Sequence, residues 1–180
     1  MTRHNIGFLV VEAFAKKYGW SLKRDNRFLG AIAKGKVREV EVHLLMPMIY
    51  MNNSGQSVSK YCSYFKVPID QLIVINDDVS FDFRRMRLRE RGSSGGHNGL
   101  KSIESHLGSS NYARLRLGVG ASDGQDLSEY VLGRFSKDEQ KLLVPFIERA
   151  VTVVDCWLDK KLADVMSLAN TFKPSLRQEK

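Results

Sequence analysis

The chain has 180 residues, a length that suits one domain with an ample core. Apolar residues make up 43% and charged residues 27%, the balance of an ordinary soluble globular protein, and no apolar run approaches a membrane span. Lys and Arg number 28 against 20 Asp and Glu, a net charge of +8 that favours a polyanionic partner, nucleic acid first and a membrane surface second. The sequence pI is about 9.6.

Ile6 to Val11 is apolar, but Glu12 and the Lys16–Lys17 pair follow too soon for a signal peptide. Ile6, Leu9, Val10, Ala13 and Phe14 instead recur at helical spacing, with Asn5 as a cap and Gly19 as a stop. Two strands are expected over Arg27–Ala33 and Val37–Met46, joined by a Lys34-Gly35-Lys36 turn. Val58, Tyr61, Cys62 and Phe65 mark a second helix that closes before Pro68. Leu72 to Ile75 is a short continuous apolar run, the signature of a buried central strand, and it ends in Asn76-Asp77-Asp78. Met86 and Leu88 alternate with arginines on another strand, followed by a glycine-rich loop from Gly92 to Gly99. Leu100, Ile103 and Leu107 begin a helix, and Leu115, Leu117 and Val119 alternate with Arg114, Arg116 and Gly118 on a later strand. Ser136 with Glu139 forms a capping-box signature opening a long helix through Leu142, Phe146, Ala150, Val154 and Trp157. A last helix covers Leu162 to Ala169, and residues 174–180 read as a frayed tail. Interleaved strands and helices without a linker or repeat predict one α/β domain over 1–180: three layers, with helices on both faces of a mixed β-sheet.

Cys62 and Cys156 have neither C-x-x-C nor metal-ligand spacing, so two buried thiols in a reducing cytoplasm are expected. The glycine loop lacks both nucleotide-binding patterns, and neither a G-x-S-x-G elbow nor an H-E-x-x-H helix is present. Four segments are polar where packing alone would not require it: Thr2 to Gly7, Met46 to Gly55, Asn76 to Asp78, and Gly95 to Leu100. Three of them follow strands, where ligands of α/β sheets collect. Each has a plain structural reading as well. His4 suits a helix start, Asn52 an N-cap and Asp77 with Asp78 a turn; His43 and His106 suit a strand face and a helix face without a role.

In order and spacing, T-R-H-N-I-G, Y-M-N-N-S-G, the acidic pair after L-I-V-I-N, and G-G-H-N-G-L-K-S-I resemble the bacterial-type peptidyl-tRNA hydrolase family. R-L-R-L-G-V-G and Y-V-L-G-R-F extend the match towards the C-terminus. The resemblance implies an ester hydrolase that recycles tRNA from peptidyl-tRNA without cofactor or metal. It implies His4 as general base on a water and Asp77 as the carboxylate that orients its imidazole. It implies substrate-binding roles for Tyr50, Met51, Asn52 and Asn98. Arg89 and Arg116 match positions that hold the tRNA 5′-phosphate, and Arg87, with Arg84 and Arg114, would widen that patch, solvated strand arginines being the alternative. A monomeric, cytoplasmic protein with a tRNA partner and no membrane association follows from the same likeness. The alternative is a non-catalytic RNA-binding protein on the same fold, as in plastid intron-splicing relatives.

Family members begin with a strand and a G-x-G-N-P-G turn ahead of T-R-H-N, and this chain starts at Met1 without them. The expectation is a coding start upstream of Met1. Ser80 stands where the family has an acidic residue and Ile49 where a Thr is common, which leaves the loop after the acidic pair in need of other support.

Overall fold

A computed structural model describes residues 2–121, 124 and 126–171; the expected tail at 174–180 lies outside them. The α/β class holds, with six strands in two three-stranded sheets among the described residues. The chain divides into two compact units: Met1–Gly7, Ile75–Leu88 and Leu115–Lys180 in one, Phe8–Val74 and Arg89–Arg114 in the other.

Helix α1 spans Ile6–Lys17, as its spacing predicts. In the second unit, β1 (Lys23–Asp25), β2 (Gly30–Val37) and β3 (Val40–Pro47) form an antiparallel meander. The β2–β3 turn falls at Arg38-Glu39 rather than at Lys34-Gly35-Lys36, with Arg38 in the left-handed region at φ 52°. Gly35 lies inside β2 because Trp20 packs on it: a Cβ there would sit 2.2 Å from the indole ring. The glycine is an accommodation for an aromatic ring and not a turn signal.

Helix α2 (Ser54–Phe65) and helix α3 (Asn98–Leu107) pack closely in the same unit. Gly55 permits that approach, since a Cβ would meet the Ser102 carbonyl oxygen at 2.1 Å. Val58, Leu100, Ile103 and Tyr112 make the buried centre, with Leu45, Leu72 and Val74 packed around it. Arg114 is also buried, at 1% side-chain exposure, because Glu104 pairs with it at 2.9 Å and its guanidinium lies 4.2 Å from the Tyr112 ring centre. It is therefore not part of a solvent-facing arginine patch. His43 and His106 are likewise used locally, against Tyr61 and the Ser102 carbonyl.

The second sheet has the order β4 (Ile73–Asp78), β6 (Ala113–Gly118), β5 (Met86–Arg89). Hydrogen bonds from Ala113 N to Leu72 O and from Val119 N to Asp78 O keep one offset along the pair, so β4 and β6 run parallel. The start of β5 meets the end of β6 through Gly118 N to Arg85 O, so that pair is antiparallel and the sheet is mixed. β4 lies at an edge of this sheet, not at its centre. Its burial also reverses the expectation: Ile73, Val74 and Ile75 are half-buried, whereas Asn76, Asp77 and Asp78 are buried. Apolar β-branched residues specify a strand but not its rank within the sheet, and the polar end can be buried because each member has a partner.

Helices α4 (Leu127–Leu132), α5 (Lys137–Trp157) and α6 (Leu162–Asn170) complete the first unit. The capping box is present: Ser136 Oγ accepts from Glu139 N, and Glu139 accepts in return from Ser136 N at 2.6 Å. Asn170 covers the outer edge of β5, accepting from Leu88 N and donating to Leu88 O, as a neighbouring strand would. Cys62 and Cys156 are free thiols, half-buried rather than buried.

Candidate active site

His4 belongs to a 3-10 turn, Arg3–Asn5, that leads into α1. One turn later, Gly7 lies against β4, where a Cβ would sit 2.3 Å from the Ile75 carbonyl oxygen. That approach brings the imidazole to the end of β4. His4 Nδ1 lies 2.7 Å from Asp77 Oδ1, with the histidine side chain 17% and the aspartate 4% exposed. A carboxylate only accepts, so Nδ1 carries the hydrogen and the neutral ring keeps its lone pair on Nε2. A carboxylate so deeply buried is costly without a donor, and the imidazole supplies one.

Neighbouring strand residues point to opposite faces, and the acidic pair divides its tasks accordingly. Asp78 turns from His4 and reaches Arg116 Nε at 2.6 Å. Its other oxygen accepts from Ser80 N at 2.9 Å and Ser80 Oγ at 2.6 Å. Ser80 thus steadies the loop by binding Asp78. Asn76 donates to the Asp77 carbonyl at 2.7 Å and closes the strand end.

Phe81 gathers three arginines: the guanidiniums of Arg85, Arg87 and Arg116 lie 5.6, 5.3 and 5.3 Å from its ring centre. Arg87 is half-buried and Arg89, two residues on and so on the same strand face, is exposed. Sequence reasoning did not single out Phe81, because an aromatic in a turn carries no signal until the arginines around it are known.

In the second unit, Met51 and Asn52 lie in a 3-10 turn, Met51–Asn53, that packs on α3, and Tyr50, 83% exposed, precedes it. Met51 Sδ is 2.6 Å from where a Cβ on Gly99 would stand, so Gly99 seats the turn on the helix start. Asn52 is not the N-cap of α2; Asn53 holds that position. Asn52 and Asn98, the first residue of α3, are both exposed, and neither amide has a hydrogen-bond partner among the described residues. His97, which the sequence reading left within its motif, is the N-cap of α3, and its Nδ1 accepts from Leu100 N at 3.2 Å. That bond leaves the hydrogen of the neutral ring on Nε2, a donor.

A family model described as peptidyl-tRNA hydrolase matches residues 1–177. A peptidyl-tRNA hydrolase of Clostridium novyi is 40% identical over 172 residues, covering 96% of this chain and 91% of its own length. One from Gloeobacter violaceus is 43% identical over 170 residues, covering 94% and 86%. Among solved structures, peptidyl-tRNA hydrolase from Acinetobacter baumannii superposes with a TM-score of 0.91 at 36% identity, over 97% of this chain and 89% of that one. A likeness of this extent defines a hydrolase, built here on a fold of mixed strands and helices. The chain belongs to the peptidyl-tRNA hydrolase family. Among the described residues, no helix is long and apolar enough to cross a membrane.

Proposed function

We propose that this protein hydrolyses the ester joining a peptide to the terminal ribose of tRNA, using His4 as general base and no metal. The observation that carries the proposal is the 2.7 Å contact between His4 Nδ1 and the buried Asp77 carboxylate in a chain of this family. His4 Nε2 takes a proton from a water as its oxygen bonds to the ester carbonyl carbon. Asp77 keeps the ring in the required tautomer and stabilises the imidazolium as it forms. The carbon–oxygen bond to the ribose then breaks, and the imidazolium returns the proton to the departing ribose oxygen, which leaves as a hydroxyl. An ester leaving group of this kind needs no Lewis acid.

Asn52 and Asn98 have amide N–H groups available for substrate carbonyls, with Met51 and Tyr50 beside Asn52 as apolar contacts for the peptide. Arg87, Arg89 and Arg116 supply phosphate contacts, which position a tRNA without reading its sequence. The family match over residues 1–177 supports the whole chain acting as one functional domain, and the reading takes that domain as a cytoplasmic monomer.

The test is turnover of peptidyl-tRNA. His4→Ala should lower kcat by about 10² to 10⁴, the usual worth of a general base. Asp77→Asn should act in the same direction, because its amide can donate to Nδ1 and move the ring hydrogen to Nε2. A His4→Ala protein as active as its parent removes the mechanism, and RNA binding without turnover in the parent leaves a binding protein on this fold.

A further inference from the structure

The catalytic base proposed above sits on a weak piece of structure. A three-residue 3-10 turn has little stability of its own, and Thr2 before it makes no side-chain cap. Its hold comes from the residue next to His4. Arg3 N donates to the Gly133 carbonyl at 3.0 Å. Its Nη1 donates to the Arg134 carbonyl at 2.5 Å, and its Nη2 pairs with Glu139 Oε2 at 2.9 Å. The guanidinium also lies 4.5 Å from the Tyr130 ring centre and 5.3 Å from that of Phe135, leaving the side chain 12% exposed.

Each of these partners is fixed in turn. Glu139 is the third residue of the α5 capping box and accepts from Ser136 N through the same oxygen that meets Arg3. Tyr130 donates its hydroxyl to the Val119 carbonyl at 2.9 Å, just beyond the end of β6. The segment from Tyr130 to Glu139 is thus anchored at both ends, and Arg3 is the side chain that couples it to the turn bearing His4. A packing role alone would not require a fork of donors on one backbone and one side-chain acceptor beside the base.

We propose that Arg3 is a positioning residue for His4: clamped by Tyr130, Arg134, Phe135 and Glu139, it sets the distance at which the imidazole meets Asp77. The proposal rests on the reading of His4 as the base. Arg3 reaches no reacting atom; it acts by holding the backbone on which the base stands. Lys can reproduce the charge beside Glu139 and the aromatic contact, but not the two-pronged grip on Arg134 and Glu139.

The test compares Arg3→Met, Arg3→Lys and Glu139→Gln with the parent, in full-length protein, by steady-state kinetics on peptidyl-tRNA and by NMR of the His4 ring hydrogen bonded to Asp77. Glu139→Gln retains an oxygen for Ser136 N and so spares the helix cap. Arg3→Met should lower kcat by about tenfold to a hundredfold with KM nearly unchanged, the signature of a displaced catalytic group. The ring hydrogen should shift or broaden, Arg3→Lys should recover part of both effects, and Glu139→Gln should show the weaker form of each. If Arg3→Met does not fold, Glu139→Gln decides alone. An unchanged ring resonance and unchanged kcat in these variants overturn the proposal. A fully active His4→Asn would instead remove the assignment of the base, while the ring resonance measured in the Arg3 and Glu139 variants would still decide whether the clamp positions His4.

Discussion

Arg116 presents Nε to Asp78 Oδ2 at 2.6 Å, so the arginine proposed to hold a tRNA phosphate already has a carboxylate beside it. A phosphate approaching Arg116 competes with, or adds to, that pair. Arg116→Ala should weaken tRNA binding and flatten the dependence of log K on log salt by about 0.7 to 0.9, the worth of one phosphate contact. Asp78→Asn keeps an oxygen for Ser80 and removes the opposing charge, so affinity should rise and the salt slope should steepen. Binding titrations at several salt concentrations read both. If neither variant changes the slope, Arg116 makes no phosphate contact.

Glycines 7 and 35 both face groups that leave no room for a methyl, yet they should fail differently. Gly7→Ala forces the start of α1 away from the Ile75 carbonyl, two residues before Asp77, whereas Gly35→Ala presses on the Trp20 ring. Each should cost about 1–3 kcal/mol of stability as overpacking. Only Gly7→Ala should also lower kcat per folded molecule, because it moves His4 from Asp77. Denaturant titration with parallel kinetics separates the two. Equal kcat in both variants would show that the α1 approach to β4 does not set the catalytic geometry.

Signals that act over a few residues were legible before any coordinates: the Ser136–Glu139 box, the α1 stop at Gly19 and the close of α2 before Pro68. Caps and stops depend on local backbone donors and acceptors, and those are fixed by neighbouring residues. Motif order, not periodicity, pointed to His4 with Asp77, which are 73 positions apart and meet only through the fold. What stayed hidden depends on distant partners. Gly35 reads as a turn until Trp20 is placed on it, and Arg114 reads as a solvated strand arginine until Glu104 and Tyr112 surround it. The run Leu72–Ile75 predicts a strand, but its edge position follows from which strands pair with it. Helix α4 is six residues long, too short for helical periodicity to register.

The burial of Arg114 gives it a stability role that an RNA titration would miss. Glu104→Gln leaves a guanidinium of 1% exposure without its counter-charge, which should cost about 3 kcal/mol. Thermal or urea unfolding should show that loss, while tRNA binding of the folded fraction stays at the parent value. Arg87→Ala should do the reverse, weakening binding with a small change in stability. A Glu104→Gln protein as stable as the parent would mean that neutral acceptors, the new amide oxygen and the Ser110 carbonyl, satisfy Arg114 with the Tyr112 ring.

Tyr61 offers a pH test that does not involve the acidic pair. Burial pushes its phenol up to about 12 from an ordinary 10.0, with the thiol of Cys62 and the carboxylates of Glu41 and Asp25 adding to the effect. Its hydroxyl lies 3.0 Å from His43 Nδ1, and His43 Nε2 lies 2.8 Å from Glu41, so β3 and α2 are tied through this chain. Above pH 10 the unfolded chain releases the phenolic proton while the folded protein keeps it. Fewer protons on the unfolded state mean that stability falls as pH rises. The contribution is therefore complete below pH 10 and lost between 10 and about 12, an amount on the order of 2–3 kcal/mol. Urea midpoints followed from pH 9 upward should decline more steeply in the parent than in Tyr61→Phe, which has no proton to lose. Parallel decline in the two proteins would assign alkaline unfolding to other groups.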